Sequence, residues 1–116
     1  MKALCVYESL DFERGKDPKT TLRIGQWQKQ SMEDELRELT HRHGGASRIE
    51  DIEDRTGESY LKGIYQNPKY FNSERWILYN YKNNEFFYSY PEADFLFLMT
   101  SLDDAIEEIE QGIMDS

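Results

Sequence analysis

The residues of this sequence that could perform acid–base or metal chemistry are few and poorly spaced for it. His41 and His43 are the only histidines. Two residues apart on a helix, their rings point about 200° apart and cannot share a metal ion; at a helix end both can contact free carbonyls. Carboxylates are so abundant that a pair at hydrolytic spacing could arise by chance. We therefore predict no catalytic residue, no metal site, no cofactor and no enzymatic activity.

A phosphate-binding loop is not indicated either, since neither GxGxxG nor GxxxxGK[ST] occurs in the sequence. The run Arg14-Gly15-Lys16 stands just before Asp17, and a helix beginning there would offer free N–H groups to an anion. Asp17 already fills the capping position. We favour a structural cap over an anion site.

The charge distribution favours binding over catalysis. The net charge is −9, and residues 91–116 contain eight carboxylates and no basic residue. A field of that sign repels nucleic-acid phosphates and attracts basic protein surfaces. The alternative is a solvated helix face that keeps the protein soluble. The acidic residues predicted to bind a partner are Asp103, Asp104, Glu107, Glu108 and Glu110.

The composition indicates one folded domain over residues 1–116. Aromatic residues make up 14% of the chain, enough for a packed interior despite a mean hydropathy of −0.85. No apolar run approaches the roughly 18 residues of a membrane span, and charged residues come too early for a secretory leader. We expect a cytoplasmic protein without membrane contact. Cys5 is the only cysteine, which rules out an internal disulfide.

Start and stop signals predict the first helices. A short helix covers residues 17–25, with Asp17 as its cap and Gly25 at its end. A longer helix begins at a capping box led by Ser31 and ends at Gly44-Gly45.

The later segments follow similar signals. A second box, from Ser47 to Glu50, predicts a short segment with Ile49 and Ile52 inward that stops near Gly57. Ser101 caps a final helix. Its apolar face consists of Leu102, Ala105, Ile106, Ile109 and Ile113.

Strand signals complete an α+β fold, with an antiparallel sheet of three or four strands and helices packed on one side. Residues 2–8 form a first strand, and a hairpin turns at Asn83-Asn84. Residues 94–100 are apolar on both faces, which predicts a central or covered strand. The segment 58–66 fits a helical face but contains Gly63, and stays ambiguous.

The hairpin is rich in aromatic residues, and one of its faces must be core. The other face carries large rings too, which are favoured in protein interfaces and can also stack on bases. Base stacking normally accompanies a basic groove, so nucleic acid is the alternative and a protein interface the better hypothesis. The tyrosines predicted to bind a partner are Tyr79, Tyr81, Tyr88 and Tyr90.

The N-terminal run FERGKDPKTTLRIG resembles a motif of the form FERGxDPxxx[LM]xIG in small, mostly uncharacterised proteins of tailed bacteriophages. Arg23 stands where such proteins often have glycine. The residues that carry the resemblance, as a structural or docking element, are Phe12, Arg14, Gly15, Asp17, Pro18, Leu22, Ile24 and Gly25.

The resemblance implies a phage origin and action in the host cytoplasm. Small acidic phage proteins of this kind are often antagonists that occupy the nucleic-acid surface of a host defence protein. We therefore expect a non-enzymatic inhibitor that binds a basic host protein, in the manner of an anti-CRISPR or nucleic-acid mimic. The alternative is a nucleic-acid or nucleotide-binding module that uses the hairpin aromatics and the N-terminal basic cluster of Arg14, Lys16, Lys19 and Arg23. Self-association as a homodimer is a further possibility.

Overall fold

The structure, a computed structural model, describes residues 18–116. The predicted strand over residues 2–8 and the motif residues Phe12, Arg14, Gly15 and Asp17 lie outside the described part. The remaining motif residues, Pro18, Leu22, Ile24 and Gly25, lie within the first helix. The described elements are α1 (Pro18–His43), β1 (Ala46–Glu53), β2 (Ser59–Gln66), β3 (Arg75–Asn80), β4 (Glu85–Ser89), β5 (Phe97–Met99) and α2 (Leu102–Met114).

The described residues form an α+β fold built on one five-stranded antiparallel sheet, in the order β1-β2-β3-β4-β5. The α+β class and the antiparallel sheet agree with the prediction, whereas the number of strands does not. The difference comes from residues 46–66, which form the β1–β2 hairpin. Both helices pack on one face of the sheet, around a core that includes Leu61, Ile77 and Tyr79.

Helix α1 is continuous for 26 residues, so the prediction of two helices separated near Gly25 is wrong. Ser31 lies inside the helix and does not cap it. A glycine in a helix interior costs only about 1 kcal/mol, and the residues between Gly25 and Ser31 include no proline. The helix is held on the sheet by the buried side chains of Met32, Leu36 and Leu39. It ends as predicted at Gly44, whose φ is +86°.

The segment from Ser47 to Glu50 is part of strand β1, so its resemblance to a capping box does not mark a helix start. Ile49 pairs with Gly63 across the strands and contacts the core, whereas Ile52 falls on the opposite face by strand alternation. Pairing along the whole of β2 satisfies backbone groups that an isolated short helix would leave open.

The β3–β4 hairpin forms where the sequence predicts it. Its loop spans residues 81–84, and Asn84 has a φ of 54°, which asparagine tolerates better than most residues. The backbone N–H of Asn84 donates to the carbonyl of Asn80 at 2.8 Å. The side-chain oxygen of Asn80 accepts the N–H of Asn83 at 3.0 Å, so two asparagines fix the loop.

Strand β5 differs from the prediction of a central or covered strand. It has three residues, pairs with β4, and lies at one edge of the described sheet. The side chain of Leu98 is 62% exposed. Helix α2 follows as predicted: the Ser101 side chain accepts the N–H of Asp104, and the five predicted apolar residues are buried.

Candidate functional site

The outer face of α2 carries four carboxylates that form no ion pair in the described part of the chain. Asp103, Glu107 and Glu108 are exposed and Asp104 is half-buried. Within residues 18–116, none of the four forms an ion pair with a basic side chain. Asp103 and Glu107 lie four residues apart, as do Asp104 and Glu108, and like charges at that spacing repel along a helix. The structure thus brings together four of the five acidic residues predicted from the sequence.

Glu110, the fifth predicted acid, has an intramolecular role. Its Oε2 accepts hydrogen bonds from Arg42 Nε at 3.0 Å and His43 Nε2 at 2.7 Å. The hydrogen bond from His43, and next the bond and charge of Arg42, hold the pKa of Glu110 below its usual range. Glu110 therefore links α2 to the last turn of α1 and differs from the four unpaired acids.

The four predicted tyrosines do not form a shared exposed surface. Tyr79 is 1% exposed, and its hydroxyl donates to Asn84 Oδ1 at 2.7 Å. Tyr81 is half-buried and donates to Asp51 Oδ1 at 3.0 Å; burial, followed by this hydrogen bond, raises its pKa. Burial also raises the pKa of half-buried Tyr88. The ring of half-buried Tyr90 lies 4.7 Å from the Arg75 guanidinium carbon. These rings mainly build the interior and its margin.

A groove between β5 and α2 adjoins three of the unpaired acids. It has a volume of about 320 Å³, and we name it the β5–α2 groove. Its walls include Leu98 and Met99 from the strand and Asp104, Glu107 and Glu108 from the helix. Nearby in the chain, Phe95 is 62% and Leu96 is 43% exposed. The groove therefore combines exposed apolar surface with uncompensated negative charge.

The apolar wall of this groove was missed by sequence reasoning. Because every residue from Phe95 to Met99 is apolar, the segment was expected to be covered on both faces. Only the strand order shows that it forms an edge of the sheet in the described residues. An apolar run next to a strongly acidic helix was the one available signal.

The histidines take no part in a metal cluster in the described range. Searching residues 18–116 finds no group of three or more His, Cys, Asp or Glu side chains placed to hold a metal ion. His41 is exposed, whereas His43 is bound to Glu110. The same part of the chain contains no helix that is long and apolar enough to cross a membrane.

Comparisons of the chain with protein-family models, with curated proteins and with solved structures give no match. Function must therefore be inferred from the chemistry of the site itself. Four uncompensated carboxylates beside an apolar strand edge can attract a cationic surface and exclude water from part of the contact.

Proposed function

We propose that the protein acts by binding a second protein, and that this partner presents a basic surface to the β5–α2 groove and the four unpaired acids of α2. The observation that carries the proposal is that none of these acids forms an ion pair within the described residues. Basic side chains of a partner would supply the missing charge. Exposed Leu98 would supply apolar contact area in the same place.

The wider role we propose is inhibition of a host defence or nucleic-acid-handling protein in the cytoplasm of a phage-infected cell. Proteins of that class carry basic grooves for nucleic acid, and an acidic helix face is complementary in charge to such a groove. The resemblance of the N-terminal motif to phage proteins supports the proposed origin. The inhibitor would compete with nucleic acid for the groove and would need no catalytic residue.

The same charge disfavours two other occupants of this groove. Phosphates of a nucleic acid would be repelled by the α2 acids. Two copies of the chain that met through the groove would bring two acidic helix faces together, because Glu107 and Glu108 would lie close to their own counterparts. A basic protein is the occupant that the electrostatics favour.

The test is capture of the partner by matched variants. A groove variant carries Asp103→Asn, Asp104→Asn, Glu107→Gln and Glu108→Gln. A control variant carries Glu33→Gln, Asp34→Asn, Glu38→Gln and Glu53→Gln, which changes the net charge equally at positions on α1 and β1. Affinity for the captured protein is then measured at two salt concentrations.

We expect the groove variant to bind at least tenfold more weakly and the control variant to bind like the wild type. Binding of the wild type should weaken as salt rises, and bound wild type should block nucleic-acid binding by the partner. Equal affinities of the groove variant and the wild type would overturn the proposed surface. Unchanged nucleic-acid binding by the complexed partner would overturn the inhibitory role.

A further inference from the structure

A second concave site lies on the other side of the α2 N-terminus, between the two helices. It has a volume of about 360 Å³, and we name it the α1–α2 pocket. That volume is near the lower end of the range of about 300–1,000 Å³ typical of ligand pockets. The lining residues that bear on its chemistry are Trp27, Gln28, Glu35, Phe86 and Asp103.

Gln28 is the first indication that this pocket binds a ligand. Its side chain lines the pocket, and the residue is only 8% exposed. Within residues 18–116, its amide forms no hydrogen bond to a protein atom. A primary amide offers two donors and an accepting oxygen, and burying such groups unpaired is unfavourable. A bound group with hydrogen-bond donors would satisfy the Gln28 oxygen.

The charge of the α1–α2 pocket indicates the charge of the group that it would bind. Glu35 and Asp103 both line it, and none of the described residues that line it is basic. Burial, and next the charge of Asp103, raise the pKa of Glu35, which places the two carboxyl groups in each other's field. An anion would be repelled even at a helix N-terminus, because Asp103 and Asp104 already compensate the first turn of α2. The pocket therefore favours a cation.

The aromatic walls distinguish between cations. Trp27 is 62% exposed at the pocket and Phe86 lies deeper, at 8%. A guanidinium group is planar, stacks on aromatic faces and offers five N–H donors in a fork that matches carboxylates. A lysine ammonium group is compact and strongly hydrated, and gains less from such walls.

We propose that the α1–α2 pocket binds a guanidinium group, namely an arginine side chain that the basic partner inserts between Trp27, Glu35 and Asp103. The identity of the donor protein rests on the proposed function, whereas the affinity of the pocket for guanidinium does not. The pocket adjoins the β5–α2 groove at Thr100, which lines both. A partner lying in the groove can therefore place one arginine in the pocket.

The experiment is a titration of the full chain with N-acetyl-arginine methylamide. Binding is monitored in ¹H–¹⁵N correlation spectra. Neutral N-acetyl-citrulline methylamide has almost the same shape and serves as the first control, and the lysine analogue serves as the second. We expect saturable shifts of the Trp27 indole N–H and the Gln28 side-chain amide, with a Kd on the order of 1–10 mM. The citrulline compound should cause no saturable shift at these groups, and the lysine compound should bind at least threefold more weakly.

Variants test whether the named residues bind the probe. Glu35→Gln should weaken arginine binding at least fivefold, whereas Glu33→Gln, on the same helix but outside the pocket, should leave it unchanged. Gln28→Met keeps the size of the side chain and removes the unpaired amide. It should raise the melting temperature while weakening arginine binding, which a purely structural glutamine would not do.

The inference would be overturned if no saturable shift appeared up to about 50 mM probe, a concentration well above the expected Kd. It would also be overturned if the citrulline or lysine compound bound as well as the arginine compound, or if Glu35→Gln left arginine binding unchanged. Because no partner is present, these results are independent of the capture experiment. If the probe does not bind but the partner is captured normally, only the proposed role of the α1–α2 pocket is refuted. If the probe binds normally but partner capture does not depend on the four acids of α2, only the proposed function is refuted.

Discussion

The two helices pack against the same face of the sheet but differ on their outer faces. Helix α1 buries Met32, Leu36 and Leu39, and α2 buries a similar apolar row. Two of the outer acids of α1 are paired within the helix: Asp34 lies 3.1 Å from Arg37, and Glu38 lies 3.4 Å from Arg42. The unpaired acids of α2 have no such partners in the described residues.

This difference teaches how to separate a solvated surface from a candidate binding surface. On α1, Asp34 and Glu38 each lie within reach of an arginine on the same helix, so these two acids need no external counter-charge. On α2, acids four residues apart repel, and the cost falls when a cationic surface arrives. The two helices carry similar numbers of acids; what separates them is that α1 also contains lysines and arginines, whereas α2 contains no basic residue.

The largest effects should come from the inner faces and show that the helices are alike there. Leu36→Ala and Ile109→Ala each remove a fully buried side chain, at 1% and 0% exposure. Both should lower the free energy of unfolding by about 2–5 kcal/mol, measured by urea denaturation. A loss below about 1 kcal/mol for only one of them would break the comparison, since that helix would not be part of the cooperative core.

A smaller effect on the free energy of unfolding should come from Tyr65, which lies beside the connection between α1 and β1. The hydroxyl of Tyr65 donates to the carbonyl of Gly44 at 2.7 Å and accepts from Asn67 Nδ2 at 2.9 Å. Tyr65→Phe should therefore cost about 1–2 kcal/mol of unfolding free energy, because buried partners lose their bonds. Tyr60→Phe, on the opposite face of β2, serves as the control and should change stability little. Equal effects of the two variants would refute the role of this hydroxyl.

The hydrogen bonds by which Glu110 links the two helices should contribute less to stability than the Tyr65 hydroxyl does. Glu110→Gln should cost about 1 kcal/mol at pH 7, because the bonds to Arg42 and His43 are exposed in part. The pKa of Glu110 is lowered in the fold, so its contribution is complete above the unfolded pKa of about 4.3 and is lost as pH falls through the folded pKa. Unfolding measured from pH 7 to pH 2 should show the wild type and variant converging at the acid end. A constant difference would contradict the linkage.

The smallest effects should have opposite signs on the two helices. Glu38→Gln removes the pair with Arg42 and should lower stability by about 0.3 kcal/mol. Glu107→Gln relieves repulsion by Asp103 and should raise stability by a similar amount, about 0.3 kcal/mol. The urea midpoint, at unchanged slope, resolves the signs. A loss of stability in both variants would show that the α2 acids have stabilising partners.

Helix α2 was predictable because all its signals are local. The Ser101 cap, the apolar row and the acidic face lie within one short stretch of sequence, and the helical period sorts them. The β3–β4 hairpin was predictable for the same reason, since two apolar strands flank an asparagine turn.

The β1–β2 hairpin and the position of β5 at the edge of the described sheet were not predictable, because they depend on pairing between distant residues. The apolar residues of β2 also fit a helical face, and Gly63 only counted against a helix; the glycine is needed in the strand because α1 approaches it closely. The α1–α2 pocket has the same origin: Gln28, Phe86 and Asp103 come from separate elements, so no sequence window contains them.

The bare α-carbon of Gly63 has a consequence for the pocket one helical turn away. A methyl group added there would lie 2.7 Å from Met32 Sδ and 2.8 Å from Leu36 Cδ1, so these side chains would have to shift. Glu35 lies between Met32 and Leu36 in the sequence of α1, on the turn that packs against this glycine. The missing side chain of one strand residue thus leaves room for the turn of α1 that forms one wall of the pocket.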